Sequence, residues 1–130
     1  MERIFLLACG INGFLAVALG AFGAHGLKGR MASLPDGAQR LAWWETAAHY
    51  HLVHALALGL SAWLVARAGG GGGAPQVAGY CFLAGILLFS GSLYAMTLTG
   101  VRVLGAVTPL GGLCMLVGWA AVVVAAWSLR

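Results

Sequence analysis

Four long apolar stretches fill almost the whole chain: Ile4–Ala24, Ala47–Ala66, Val77–Leu98 and roughly Thr108–Trp127. Each is close to the ~20 residues an α-helix needs to cross the hydrocarbon core of a bilayer. The pattern predicts an all-α protein, one antiparallel bundle of four transmembrane helices occupying residues 1–130, with helices at about 4–25, 38–67, 76–98 and 108–128. A chain that crosses four times alternates direction. The end of the first stretch, the start of the second, the end of the third and the start of the fourth therefore meet at one face. The polar positions gather there: His25, Glu45, His49, Tyr50, His51 and His54, then Ser90, Ser92, Tyr94, Thr97, Arg102 and Thr108. The opposite half is nearly all Leu, Ile, Val, Ala, Phe and Gly, with Asn12 its clear polar exception. Polar groups within a membrane are unfavourable unless paired, so a one-sided cluster marks a candidate site.

Small residues recur inside the stretches at helical spacing. Gly13 and Gly20 lie seven apart in the first, with Ala16, Gly20 and Ala24 four apart; Gly85 and Ser92 lie seven apart in the third, and Gly111, Gly118 and Ala125 in the fourth. Such stripes let helix backbones approach closely in lipid, and they predict a tight bundle with little cavity in its apolar half. The connections have distinct characters. Gly26–Ala42 is the first, and Leu34-Pro35-Asp36-Gly37 within it reads as a turn that launches the second helix. That helix would exceed the bilayer core, which puts Gln39–Trp44 at the interface with Trp43 and Trp44 as headgroup-level anchors. The second connection, Gly69–Gly73, is a flexible glycine tether without the Lys and Ser/Thr of a phosphate loop. In the third, Thr108-Pro109 reads as an N-cap and first-turn proline.

Composition supports the membrane reading. Of 130 residues, 62% are hydrophobic and 8% charged, against about 25% charged in soluble domains. The net charge of +4 would suggest nucleic acid in a soluble protein; here the basic residues sit near helix ends, where they mark topology. Lys28, Arg30, Arg40 and Arg102 lie on one side, Arg3, Arg67 and Arg130 on the other. That balance is nearly even, and it favours cytoplasmic termini if Arg40 and Arg102 serve the site. The first stretch is longer than the ~7–15 residues of a signal-peptide core and reads as a retained helix. Cys9, Cys81 and Cys114 share no motif spacing and read as apolar packing residues.

Ala18-Leu19-Gly20-Ala21-Phe22-Gly23-Ala24-His25 resembles the signature of the bacterial inner-membrane family known as domain of unknown function 423, related to the eukaryotic transmembrane protein 256. Later segments agree in order: Thr46, Tyr50 and His54-Ala55-Leu56-Ala57, then Phe89-Ser90-Gly91-Ser92-Leu93-Tyr94, Arg102, Val107-Thr108-Pro109-Leu110-Gly111-Gly112 and Gly118-Trp119. The resemblance implies a four-helix protein of the bacterial inner membrane. It has no agreed biochemical function to offer, but it selects His25, Tyr50, His54, Ser92, Tyr94, Arg102 and Thr108 as positions of the family pattern. Glu45, His49 and His51 fall outside that pattern.

Several chemistries find little support. No His pair sits at i, i+4 on the second helix, and no His-Glu-x-x-His motif occurs, so no metal site is read. Haem held between His25 and His54 would need matching depth, and His54 lies ~15 Å below Trp44 while His25 sits at the surface end. No cofactor is read. There is no carboxylate pair and no supported nucleophile–base order, so no enzyme is expected. A proton-coupled exporter needs an embedded carboxylate, and Glu45 lies too close to the interface. The remaining expectation is a non-enzymatic membrane protein whose polar half binds a lipid headgroup or small anionic ligand. His25, Arg102 and the start of the fourth helix would flank the pocket, and His54 would meet Tyr94. The alternatives are a structural or accessory subunit with His54 as internal hydrogen-bond glue, or a small transporter. Membrane lipids are the expected partners, nucleic acid is not, and a homo-oligomer or membrane-complex partner stays open.

Overall fold

A computed structural model describes residues 1–69 and 73–129. Four helices run Glu2–Met31 (α1), Gly37–Arg67 (α2), Ala74–Thr99 (α3) and Thr108–Trp127 (α4), and a 3-10 turn at Arg102–Ala106 precedes the last. Each is long and apolar enough to cross a membrane, and no strand occurs among the described residues. The central part of the glycine tether, residues 70–72, lies outside the described residues, as does Arg130.

Helix α1 does not stop near residue 25. It continues through a π-helical turn, Gly23–Leu27, into Lys28–Met31. Trp44 of α2 sits against that turn. Its indole N–H donates to the Leu19 carbonyl at 2.8 Å, and a Cβ on Gly23 would come within 2.6 Å of the indole nitrogen. A π-turn widens the helix where a side chain inserts. Trp44 is accordingly buried to 2% exposure, and this corrects its reading as a headgroup anchor. The first connection shrinks to residues 32–36, closed by the Gly37 N–H on the Leu34 carbonyl at 3.1 Å. Gly37 is needed there because a Cβ would strike the Met31 carbonyl.

Helix α2 is the centre of the bundle, packed between α1 on one side and α3 on the other, and α3 packs in turn on α4. The apolar half holds Phe5, Leu58, Ala62, Val65, Ala78, Phe82 and Ala121 in one core. Small residues open space for its rings. The Phe5 ring lies where a Gly79 side chain would be, and the Phe82 ring covers Gly118. The backbones of α4 and α3 also approach closely, and a Cβ on Gly111 would run into the backbone at Leu88 and Phe89. The α3 segment there, Ile86–Ser90, is a second π-turn. The α4 stripe is thus a packing seam. The α1 stripe divides: Gly13 and Gly20 face open space, as Gly10 does, while Ala16 is buried and meets the bundle together with Phe5.

Candidate functional site

Polar side chains cross between helices at several levels, and among the described residues every buried side-chain nitrogen or oxygen has a partner. In a bilayer the backbone is bonded internally, so side chains without a neighbour would be stranded. The network solves this in pairs. Near the end that carries the first and third connections, the Thr97 hydroxyl shares its one proton between the Arg40 carbonyl at 3.0 Å and the Leu93 carbonyl of its own helix at 2.9 Å, and Ser90 donates to the Ala47 carbonyl at 2.9 Å. The bonds to Arg40 and Ala47 tie α3 to α2. Ser92 and Thr108 oxygens lie 2.7 Å apart and tie α3 to the start of α4. Ser92 already donates to the Phe89 carbonyl, so Thr108 is the donor in that pair. Thr108 caps nothing with its side chain, which corrects its reading as an N-cap.

Deeper in the bundle, His51 joins three helices. Asn12 of α1 donates its amide N–H to the Ala8 carbonyl at 2.8 Å, which turns its Oδ1 towards His51 Nε2 at 3.1 Å. An amide oxygen only accepts, so Nε2 carries the proton. His51 Nδ1 is then the acceptor for the Tyr94 hydroxyl of α3 at 3.2 Å. One turn along α2, His54 has the opposite tautomer. Its Nδ1 donates to the Tyr50 carbonyl at 2.8 Å, and its Nε2 accepts the Trp119 indole N–H from α4 at 3.2 Å. His51 and His54 are each 4% exposed.

At the membrane face, the Asp36 carboxylate holds Arg40 at 3.1 Å and draws Arg102 to 3.7 Å. The bonded Arg40 guanidinium keeps the Asp36 carboxyl below its ordinary value of 3.8. Arg40 also reaches the Thr97 carbonyl at 3.4 Å and lies against Gly100. Gly100 ends α3 in the left-handed region, φ 74°, with its N–H on the Met96 carbonyl. A side chain there would be strained and would collide with Arg40.

A lateral groove of about 590 Å³ lies between α2 and α4. His49, Tyr50, Val53 and His54 form one wall, Pro109, Gly112, Leu113, Leu116 and Trp119 the other, with Phe89 of α3 at the back. It begins near the start of α4 and runs about ten residues along it, ~15 Å or half the hydrocarbon thickness. Tyr50 meets Phe89 with ring centroids 4.6 Å apart and stacks on His54 at 5.9 Å with 8° between planes.

The seven positions selected from sequence therefore divide. Tyr50 and His54 line the groove. Ser92 pairs with Thr108, and Tyr94 with His51. Arg102 is turned to Asp36. His25 is exposed on the π-turn and makes no side-chain hydrogen bond among the described residues. The expected approach of His54 to Tyr94 is corrected: each takes a different partner. Neither His25 nor Arg102 lines the groove. His49, Gly112 and Trp119 were not singled out as site residues, because which faces of α2 and α4 oppose each other depends on helix rotation. Among the described residues, no group of three or more His, Cys, Asp or Glu is placed to hold a metal ion.

Comparison with known proteins agrees with this architecture. A family described as a protein of unknown function, DUF423, matches residues 19–112. The UPF0382 membrane protein YwdK of Bacillus subtilis is 46% identical over 124 residues, covering 95% of this chain and 96% of its own. A UPF0382 membrane protein of Staphylococcus aureus is 38% identical over 128 residues, with 97% of each chain covered. A Staphylococcus epidermidis relative of the same name is 39% identical over 125 residues, with 95% and 94% covered. No solved structure matches. With its four apolar spans and these relatives along nearly its whole length, the chain is a membrane protein and belongs to the DUF423 family.

Proposed function

We propose that this protein binds a membrane amphiphile, with an apolar chain in the groove between α2 and α4 and a polar end at the His49–Tyr50 rim. The groove itself carries the reading. Its volume lies within the ~300–1,000 Å³ of small-molecule sites, and its walls are apolar with a few convergent polar groups, as such sites are. Its length matches one leaflet, so a lipid-like molecule can enter sideways without leaving the bilayer. No catalytic step is assigned, since both buried histidines have both ring nitrogens engaged. The same reading places the protein in the bacterial cytoplasmic membrane with both termini inside. The basic residues divide nearly evenly, Lys28, Arg30, Arg40 and Arg102 on the side of the first and third connections against Arg3, Arg67, Arg130 and the amino terminus.

Gly112 gives a clean test. A Cβ there meets the Phe89 ring at 3.8 Å, an ordinary contact, so a larger side chain projects into the groove without striking backbone. We expect Gly112→Leu to retain its unfolding temperature in detergent and to lose the lipid adducts that native mass spectrometry detects on the wild type. Identical adducts on both proteins would sink the groove reading. They would favour the alternative of an accessory subunit, for which the completeness of the internal hydrogen bonding speaks.

A further inference from the structure

We infer that the groove is built for a quinone-type ligand: a neutral, planar ring bearing carbonyl oxygens, attached to an isoprenoid chain. This rests on the amphiphile reading and specifies its head. Inside a bilayer an apolar groove discriminates weakly, because lipid tails are as apolar as the groove wall. Selectivity must come from the rim, and the rim has three properties. First, it carries no fixed charge: the lining holds no Lys, Arg, Asp or Glu. Glu45 lies one turn from His49 on the same face of α2, and Arg40 and Arg102 are turned towards Asp36. A phosphate headgroup would find no counter-charge in the groove lining and a carboxylate one turn away. Second, the His49 imidazole and the Tyr50 hydroxyl are exposed, and neither side chain has a hydrogen-bond partner among the described residues. Both can donate to a carbonyl oxygen. Third, ring faces gather behind them: Phe89 lies against Tyr50, and His54 with Trp119 continues the wall deeper. A flat ring stacks there while its oxygens meet the donors, and the apolar side below Val53, Leu113 and Leu116 takes the isoprenoid chain.

Quinones quench indole fluorescence, and Trp119 lines the groove. The experiment titrates a benzoquinone carrying two isoprene units into the full-length protein in phosphatidylcholine nanodiscs. It follows tryptophan emission for the wild type, Gly112→Leu, Trp119→Phe and the double variant His49→Ala/Tyr50→Phe. The expected result is saturable quenching in the wild type that disappears in Gly112→Leu and Trp119→Phe. In the double variant the apparent dissociation constant should rise at least tenfold, while its phospholipid adducts in native mass spectrometry stay unchanged. Quenching unaltered by the double variant would overturn the head assignment. So would the absence of saturable quenching together with phosphatidylglycerol adducts that Gly112→Leu removes, an outcome that leaves the groove reading standing. Failure of both quinone and phospholipid to respond to Gly112→Leu would overturn both.

Discussion

Two histidines three residues apart on one helix carry their protons on opposite nitrogens, and the reason lies in what each faces. His51 meets an amide oxygen on α1 and a phenol on α3; His54 meets a backbone carbonyl of its own helix and an indole on α4. In each case one partner can only accept or only donate, which fixes the tautomer of a neutral ring. Solid-state NMR of 15N-histidine protein in bilayers should therefore show His51 protonated at Nε2 and His54 at Nδ1. Asn12→Leu should remove the Nε2 acceptor and destabilise the fold by ~1–3 kcal/mol, the penalty for a buried donor left alone. Matching tautomers, or an Asn12→Leu variant as stable as wild type, would count against the His51 network. Asn12 stood out in the sequence as the lone polar residue of the apolar half. Its partner could not be read there, because His51 follows His49 and Tyr50 in the chain and only the rotation of α2 sends it towards α1.

At the scale of the element, spacing alone marked two glycine stripes as equivalent, and packing separates them. Gly111 and Gly118 of α4 lie under backbone and ring atoms of α3, whereas Gly13 and Gly20 of α1 lie under nothing. A period of seven says that small residues share a face; it does not say which face meets a neighbour. The consequence is graded. Gly111→Ala puts a methyl against the Phe89 backbone, which cannot move aside without parting the helices, and should lower the unfolding temperature in detergent most. Gly118→Leu should follow, because the Phe82 ring it displaces is fully buried. Gly20→Leu should be nearly silent. A Gly20→Leu variant as damaged as Gly111→Ala would show that α1 packs on something other than the bundle described. The extra length of α1 has a related cause. Its apolar run ends at Ala24, but the helix is carried on to Met31 by Trp44, a contact from the next helix that the run of α1 does not announce.

At the scale of the whole molecule, four crossings and the one-sided distribution of polar groups were legible because both follow from hydropathy and alternation of direction. The groove was not, since it forms between α2 and α4, which touch little elsewhere and are far apart in sequence. The topology has a structural signature in the Asp36 clasp, which holds Arg40 at the start of α2 and Arg102 after α3. The first and third connections must share one membrane face for that clasp to form. The termini and the glycine tether then share the other. Single cysteines at Arg30 and Ala68 test this, both residues being exposed. The background needs Cys9, Cys81 and Cys114 removed, and each is only half-buried in a span. A membrane-impermeant maleimide added to intact cells should label Arg30→Cys and spare Ala68→Cys until the cells are opened. The reverse pattern would keep four crossings and invert the orientation. Labelling of both from one side would refute four crossings and, with them, the clasp and a groove confined to a single leaflet.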